Sequence, residues 1–243
     1  LINVARTKGK GWVEYNWRHE AKRSYVEKLV DPKTKNEYII SAGYHPDVNL
    51  DTVKSFVHKG IRYIKANGAK AAFSEFSSVV GEFARGAMGI YVFDMNGKCL
   101  ANGENPGFVG QNLLKIRSAD GRYYVKDMIT LATKNGSALV SYVTANANAV
   151  AYVEYVDTPD GKFVVGAEFF PASKTASTQT LVSRAVELLT ETPNDIAFGL
   201  LSERGSDYLR GDLSTFVYDT DGIRLVNGTY KTQIWKDLLK ATD

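Results

Sequence analysis

Cysteine is nearly absent. Cys99 is the single one in 243 residues, so no intrachain disulfide can staple the fold. Such poverty fits the cytosol, and it equally fits a bacterial periplasmic domain with a core of its own. Histidine is scarce too: His19, His45 and His58 are not at metal-ligand spacing, and no Cys/His cluster accompanies them, which argues against a structural zinc site. No apolar run approaches the roughly 20 residues that cross a bilayer, and no signal peptide is visible at Leu1. Concentrated basic charge is missing. The 30 Lys and Arg against 27 Asp and Glu are spread along the chain, and the cluster Arg18, Lys22, Arg23 is too short for a phosphate-tracking patch, so nucleic acid is not an expected partner. A phosphate-binding glycine loop and a nucleophile elbow are also absent. Gly9-Lys10-Gly11 lacks the Walker spacing. The expectation is no catalytic residue, no metal, no cofactor and no enzyme.

What is present is ordinary globular composition, with 44% apolar and 23% charged residues, in a chain long enough for two compact domains. Within it lies a repeat. Ala72-Phe73, Arg85-Gly86, Tyr91-Val92-Phe93-Asp94, Gly97, Asn102-Gly103 and Leu113-Leu114-Lys115 recur as Ala197-Phe198, Arg210-Gly211, Phe216-Val217-Tyr218-Asp219, Gly222, Asn227-Gly228 and Leu238-Leu239-Lys240. The offset is 125 throughout (198 − 73, 219 − 94, 240 − 115). A second match places Gly9, Val13, Tyr15 and Tyr25-Val26-Glu27 on Gly136, Val140, Tyr142 and Tyr152-Val153-Glu154 at an offset of 127. Residues 47–172 therefore read as one complete unit. Residues 173–243 read as the front of another copy and 1–46 as the back of one. The two ends are complementary, which predicts a composite unit, since a half-sheet left alone would expose an apolar face and open strand edges. A truncated array of three units, or swapping between molecules, is the alternative.

Each unit reads as helix, then sheet. Val53, Phe56, Val57, Ile61 and Ile64 recur at helical spacing. Gly68 interrupts that helix, as Pro193 does in the other copy. Alternating runs predict strands over 89–93, 138–144, 149–155 and 162–169, and over 11–17, 23–29 and 38–44. Asp94–Gly97 and Asp219–Gly222 read as hairpin turns. Hairpin-linked strands with segregated helices imply α+β with antiparallel sheets.

In this order the motifs resemble the Cache family of PAS-like extracellular sensors, in its single-Cache type 2 pattern, as two tandem units. The family's units read as a helix with an Ala-Phe end, a strand Y-x-F-V-x-D-x-x-G, a helix signalled by G-x-N-L, then strands G-W-V-x-Y-x-W, K-x-S-Y-V and G-x-G-x-Y. Here Val109-Gly110-Gln111-Asn112-Leu113 carries the helix signal. The strand signals are Gly11–Trp17, Lys22–Val26 and Ser41–Tyr44. Departures are clear: residues 138–144 hold neither tryptophan, Ala149 stands at the lysine position, and Trp235-Lys236-Asp237-Leu238 replaces G-x-N-L in the composite unit.

The resemblance implies a long N-terminal helix and short helices flanking each sheet. It also implies a small-molecule pocket on the sheet, often for short carboxylates such as acetate, propionate, pyruvate or lactate. It further implies a periplasmic or extracellular part of an inner-membrane receptor (or a secreted periplasmic protein), reaching the membrane only through the parent receptor and able to form a homodimer through the N-terminal helices. A buried carboxylate needs a cation and donors, plus a wall for its short tail. The composite unit offers them. On its aromatic strand Val13, Tyr15 and Trp17 share one face. Lys22 and Tyr25 come from the paired strand, and Ser214 and Phe216 from the strand that opens the sheet. The expected ligand-binding residues are therefore Tyr15, Trp17, Lys22, Tyr25, Ser214 and Phe216, and the expected ligand an organic acid. The complete unit has Tyr142, Thr144, Ala149 and Tyr152 at the matching positions, so its pocket is expected to be degenerate, or to hold something neutral. The competing reading is a structural or protein-interaction module with vestigial pockets.

Overall fold

The computed structural model describes residues 1–17, 20–78, 81–83, 88–144, 146–203 and 206–228. In chain order the helices are α1 (Ile2–Lys8), α2 (Leu50–Asn67), α3 (Ala69–Phe76), α4 (Tyr124–Asn135), α5 (Thr175–Glu191) and α6 (Asn194–Ser202). The strands are β1 (Lys10–Trp17), β2 (Glu20–Val30), β3 (Glu37–Tyr44), β4 (Tyr91–Asp94), β5 (Cys99–Asn102), β6 (Ser137–Thr144), β7 (Ala147–Thr158), β8 (Gly161–Phe169), β9 (Leu209–Arg210), β10 (Leu213–Ser214), β11 (Phe216–Asp219) and β12 (Arg224–Asn227).

Two antiparallel five-stranded sheets have the same order. One runs β6-β7-β8-β4-β5, the other β1-β2-β3-β11-β12. In the second sheet, β3 from the start of the chain pairs with β11 from its end, with Ser41 opposite Phe216 and Ile39 opposite Tyr218. The corresponding pairs in the first are Gly166 with Tyr91 and Val164 with Phe93. Arg6 on α1 reaches the Thr220 carbonyl and adds a side-chain tie between the ends. This is the α+β architecture, with antiparallel sheets, that the hairpin pattern implied.

Local sequence explains the elements. The Asn49 side chain accepts from the backbone N–H of Asp51 and Thr52 (2.9 and 3.2 Å), and the Asn49 N–H donates to Thr52 Oγ1, closing a capping box at the start of α2. Such a cap is worth about 1 kcal/mol. Gly68 (φ 79°) ends α2 and starts α3, and Pro193 separates α5 from α6. At the β4–β5 turn, Asp94 Oδ1 accepts from the N–H of Asn96 and Lys98 at 2.9 and 2.8 Å, and Gly97 takes φ 79°. Asp219 and Gly222 (φ 86°) repeat this at β11–β12.

One segment differs from the motif reading. No helix follows Asn112. Its amide donates to the Asn96 carbonyl (2.8 Å) and its oxygen accepts from the Leu114 N–H (3.1 Å), so the segment is stitched to the β4–β5 turn, and the helix waits until Tyr124. Trp235–Leu238, Arg85 and His19 lie outside the described residues.

Each sheet has two apolar faces. The helix side of the first carries Val92, Ala101, Val165 and Ala167 against Phe56, Ile64, Phe76 and Phe83 of the α2–α3 layer and its following loop. The second packs Ile40, Ala42, Val217 and Val226 against Leu181, Val182, Ala185 and Leu189 of α5. Each fully buried aliphatic or phenyl side chain contributes about 1.5–3 kcal/mol. The opposite faces are covered only in part, by α4 on one sheet and the short α1 on the other. The remaining part of both faces is open to a common space.

Candidate functional site

That space is a cavity of about 640 Å³, lined from both sheets and from the short β9–β10 hairpin. The hairpin is held by the complete unit. Asn146 Nδ2 donates to the carbonyls of Ser206 and Leu209 (2.9 and 3.4 Å), and a side chain at Gly211 would run into the Phe170 ring.

Among the expected ligand residues, Trp17, Lys22, Ser214 and Phe216 line the cavity together. Lys22 Nζ lies 5.9 Å from the Trp17 ring centre and 5.6 Å from that of Phe216. Tyr15 points to the same face, opposite Lys22 in the β1–β2 register, but its hydroxyl is taken up by Ser24 Oγ at 3.0 Å and it does not line the cavity. Burial pushes the Tyr15 phenol up, with the Ser24 hydrogen bond and the Arg224 charge acting against the shift. Tyr25 stands directly opposite Trp12, its ring 5.2 Å away, in the core under α5. The reason is the two-residue period of a strand: Lys22 and Tyr25, three positions apart, must point to opposite faces.

Several cavity residues were missed in the sequence reading. Arg224 opens β12 and its guanidinium lies 5.6 Å from the Phe216 ring and 5.8 Å from that of Tyr218. Asn227, opposite Phe216, and Asp212 in the hairpin also line the cavity. Burial raises the Asp212 carboxyl, and the Ser173 hydrogen bond and the Lys22 charge oppose that rise. The 125 offset was a signal for Arg224, because it stands where the complete unit has Cys99.

The complete unit contributes charge of the other sign. Ala149 and Cys99 stand where the composite unit has Lys22 and Arg224, while Arg117, which donates to the Tyr123 hydroxyl, is a cation that lines the cavity from the complete unit. Glu168 stands where the composite unit has Gly43, a position with no room for a side chain because Ser24 fills it. Glu168 is buried and accepts from the Tyr142 hydroxyl. Burial lifts its carboxyl to about 7. Glu104, whose Oε1 accepts from the Gly89 N–H at 3.2 Å, is pushed up by burial and by the Glu168 charge. Both line the cavity with Tyr91, Tyr124 and Tyr142. Among the described residues no group of three or more His, Cys, Asp or Glu is arranged to hold a metal ion.

Residues 65–169, within the complete unit, match the family model of the Cache domain. The family is the one that the motifs resemble. A solved methyl-accepting chemotaxis protein from Vibrio parahaemolyticus RIMD 2210633 is 20% identical, with 50% of this chain and 88% of that one covered and a TM-score of 0.40. A Cache chemosensory domain described for carboxylic acid recognition is 16% identical, covering 50% and 92%, at 0.41. The periplasmic sensory domain of the Campylobacter jejuni chemoreceptor Tlp1 is 11% identical, covering 70% and 54%, at 0.33. A comparison with curated proteins gave no match. No helix among the described residues is long and apolar enough to cross a membrane.

Proposed function

We propose, for a chain with a Cache domain match over residues 65–169, that it is the extracytoplasmic ligand-binding part of a bacterial signalling receptor. Its ligand is a small organic acid held in the composite half of the cavity. One observation carries this reading: Lys22 and Arg224, from opposite ends of the chain, both reach the ring of Phe216 in the cavity, with Trp17, Ser214 and Asn227 around them. Two cations supply the charge that a desolvated carboxylate needs. Ser214 and Asn227 add polar groups, and the Trp17 and Phe216 rings form the wall for a short alkyl tail. Tyr15 and Tyr25 support the sheet from outside the cavity. A homodimer through the N-terminal helices of the units belongs to the same reading and is checked by molecular mass in solution.

The test is a thermal-shift and calorimetric screen of two- to four-carbon carboxylates and amino acids. A ligand at 100 times its Kd stabilises a fold by about 2.7 kcal/mol. Lys22→Ala and Arg224→Cys, which install the residues of the other copy, should each weaken carboxylate binding by about tenfold or more. No shift across the panel would favour the interaction-module reading, and unchanged affinity in Lys22→Ala would remove Lys22 from the site.

A further inference from the structure

We propose that the complete unit's half of the cavity is a second binding site, specific for a small organic cation bearing a primary ammonium group, held by Glu104 and Glu168 beneath Tyr91, Tyr124 and Tyr142. This inference does not depend on the carboxylate reading of the other half.

Glu168 projects from β8 and Glu104 follows β5, so the two carboxyls come from opposite sides of the β4 strand that carries Tyr91. Neither makes an ion pair among the described residues. The charges that act most on Glu104 are Glu168 and Asp212, both of its own sign. Enclosed carboxylates with no counter-charge are costly, and they either hold protons or wait for a cation. Tyr91 adds an independent sign. Its side chain is 5% exposed and lines the cavity, yet its hydroxyl is buried with no hydrogen-bond partner among the described residues. That hydroxyl also feels the charges of Glu168 and Glu104. A buried hydroxyl left unsatisfied is costly, and a ligand group beside it would recover that cost.

The chemistry of the walls selects the ligand. Acceptors dominate: two carboxylates and a phenol oxygen that can accept, while Arg117, which also lines the cavity, donates to the Tyr123 hydroxyl. An ammonium group brings three donors and one positive charge, which suits that set. Tyr124 and Tyr142 are stacked, their centres 4.2 Å apart and their planes within 4°. The outer faces of the stacked pair add the negative quadrupole that attracts a cation. Val125, Met128 and Leu113 give the apolar surface for an alkyl chain. A carboxylate would be repelled here, as an amine would be beside Lys22 and Arg224. At the matched positions Lys22 and Ala149, Arg224 and Cys99, and Gly43 and Glu168, the two copies have thus exchanged cations for a carboxylate.

Calorimetry with n-propylamine and 1,4-diaminobutane tests the site, with propionate as the anionic control. The expected result is one amine bound per chain. Affinity should fall by about tenfold or more in Glu104→Gln and in Glu168→Gln, and by a smaller factor in Tyr91→Phe. The glutamines keep shape and hydrogen bonding, and a melt of each variant confirms the fold. Absence of binding by both amines would overturn the site, as would unchanged affinity in the Glu104→Gln, Glu168→Gln double variant. Loss of carboxylate binding alone, with amine binding intact, would sink the anion reading and leave this one standing.

Discussion

Lys22 Nζ lies 5.6 Å from the centre of the Phe216 ring, and the Arg224 guanidinium lies at the same distance. Two like charges converge on one aromatic ring because β11 and β12 arrive from one end of the chain and β2 from the other. The electron-rich ring offsets part of their repulsion, and the Asp212 carboxyl, which lines the same cavity, feels the Lys22 charge.

Phe216→Ala should therefore weaken carboxylate binding by roughly tenfold, since it removes both the tail's wall and the ring that holds the cations. Stability should fall by about 2 kcal/mol, less than for a fully buried phenylalanine because Phe216 is only half-buried. Titration calorimetry and urea unfolding separate the two effects. Affinity unchanged in a folded Phe216→Ala would show that the ring plays no part in holding the ligand.

A second expectation concerns Gly166 on β8, opposite Tyr91. A Cβ there would press on the Tyr91 ring and lie 2.7 Å from a Val153 methyl and 3.0 Å from the Tyr152 carbonyl. Backbone and buried β-branched neighbours give little. Gly166→Ala should cost about 1–3 kcal/mol by overpacking and shift the Tyr91 ring in the cavity. The unfolding midpoint measures the first, and amine affinity the second.

The fold was legible because the repeat is periodic at one fixed offset. Once Tyr91–Asp94 and Phe216–Asp219 are matched, the partners of β4 on β8 point to partners of β11 on β3, and the two ends of the chain fall into one sheet. Strand alternation offered Trp17, Ser214 and Phe216, the K-x-S-Y-V motif offered Lys22, and the fold brings these four to the cavity. Tyr25 belongs to the same motif as Lys22, but their odd spacing sends them to opposite faces, and Tyr25 lies in the core opposite Trp12. Glu104 and Glu168 escaped notice for a different reason. A carboxylate in a sequence looks solvated, and only the folded chain shows that Tyr142 and the Gly89 N–H enclose these two. The G-x-N-L segment was misread because Asn112 makes its bonds across to the β4–β5 turn, a contact that helix propensity does not register.

Cys99 should be inert in the native state. It is fully buried, its thiol lies 3.4 Å from the Ala101 carbonyl, and burial lifts its pKa to about 11. Little thiolate forms and reagent cannot reach it. Labelling by a disulfide reagent at pH 8 should be slow in buffer and rapid in denaturant. Because β5 sits at the sheet edge beside Glu104, amine binding should slow native-state labelling further. Fast labelling in buffer would show that the β4–β5 edge opens readily.

The pH dependence of stability follows from Glu168. Its carboxyl has an ordinary value of 4.5 and about 7 in the fold, raised by burial. The folded state therefore holds a proton more tightly than the unfolded chain, and between those values stability must fall as pH rises, levelling off above about 7. The total is on the order of 3 kcal/mol. Glu104, which faces it along with Tyr91, Tyr124, Tyr142 and Asp212, acts in the same direction. Asp31 acts the other way at lower pH: held at about 2 by the Thr34 hydroxyl, the Lys33 N–H and Asn194, it contributes stability that is full above 3.8 and lost as pH falls through about 2. The combined contribution of Asp31 and Glu168 is therefore greatest between about 3.8 and 4.5. Urea unfolding at pH 4.5 and 8 should show the decline. Glu168→Gln should flatten it, and millimolar 1,4-diaminobutane at pH 8 should restore part of it, because a cation between the carboxylates offsets the charge that burial leaves uncompensated. A decline of unchanged size in Glu168→Gln would mean that the proton is held elsewhere.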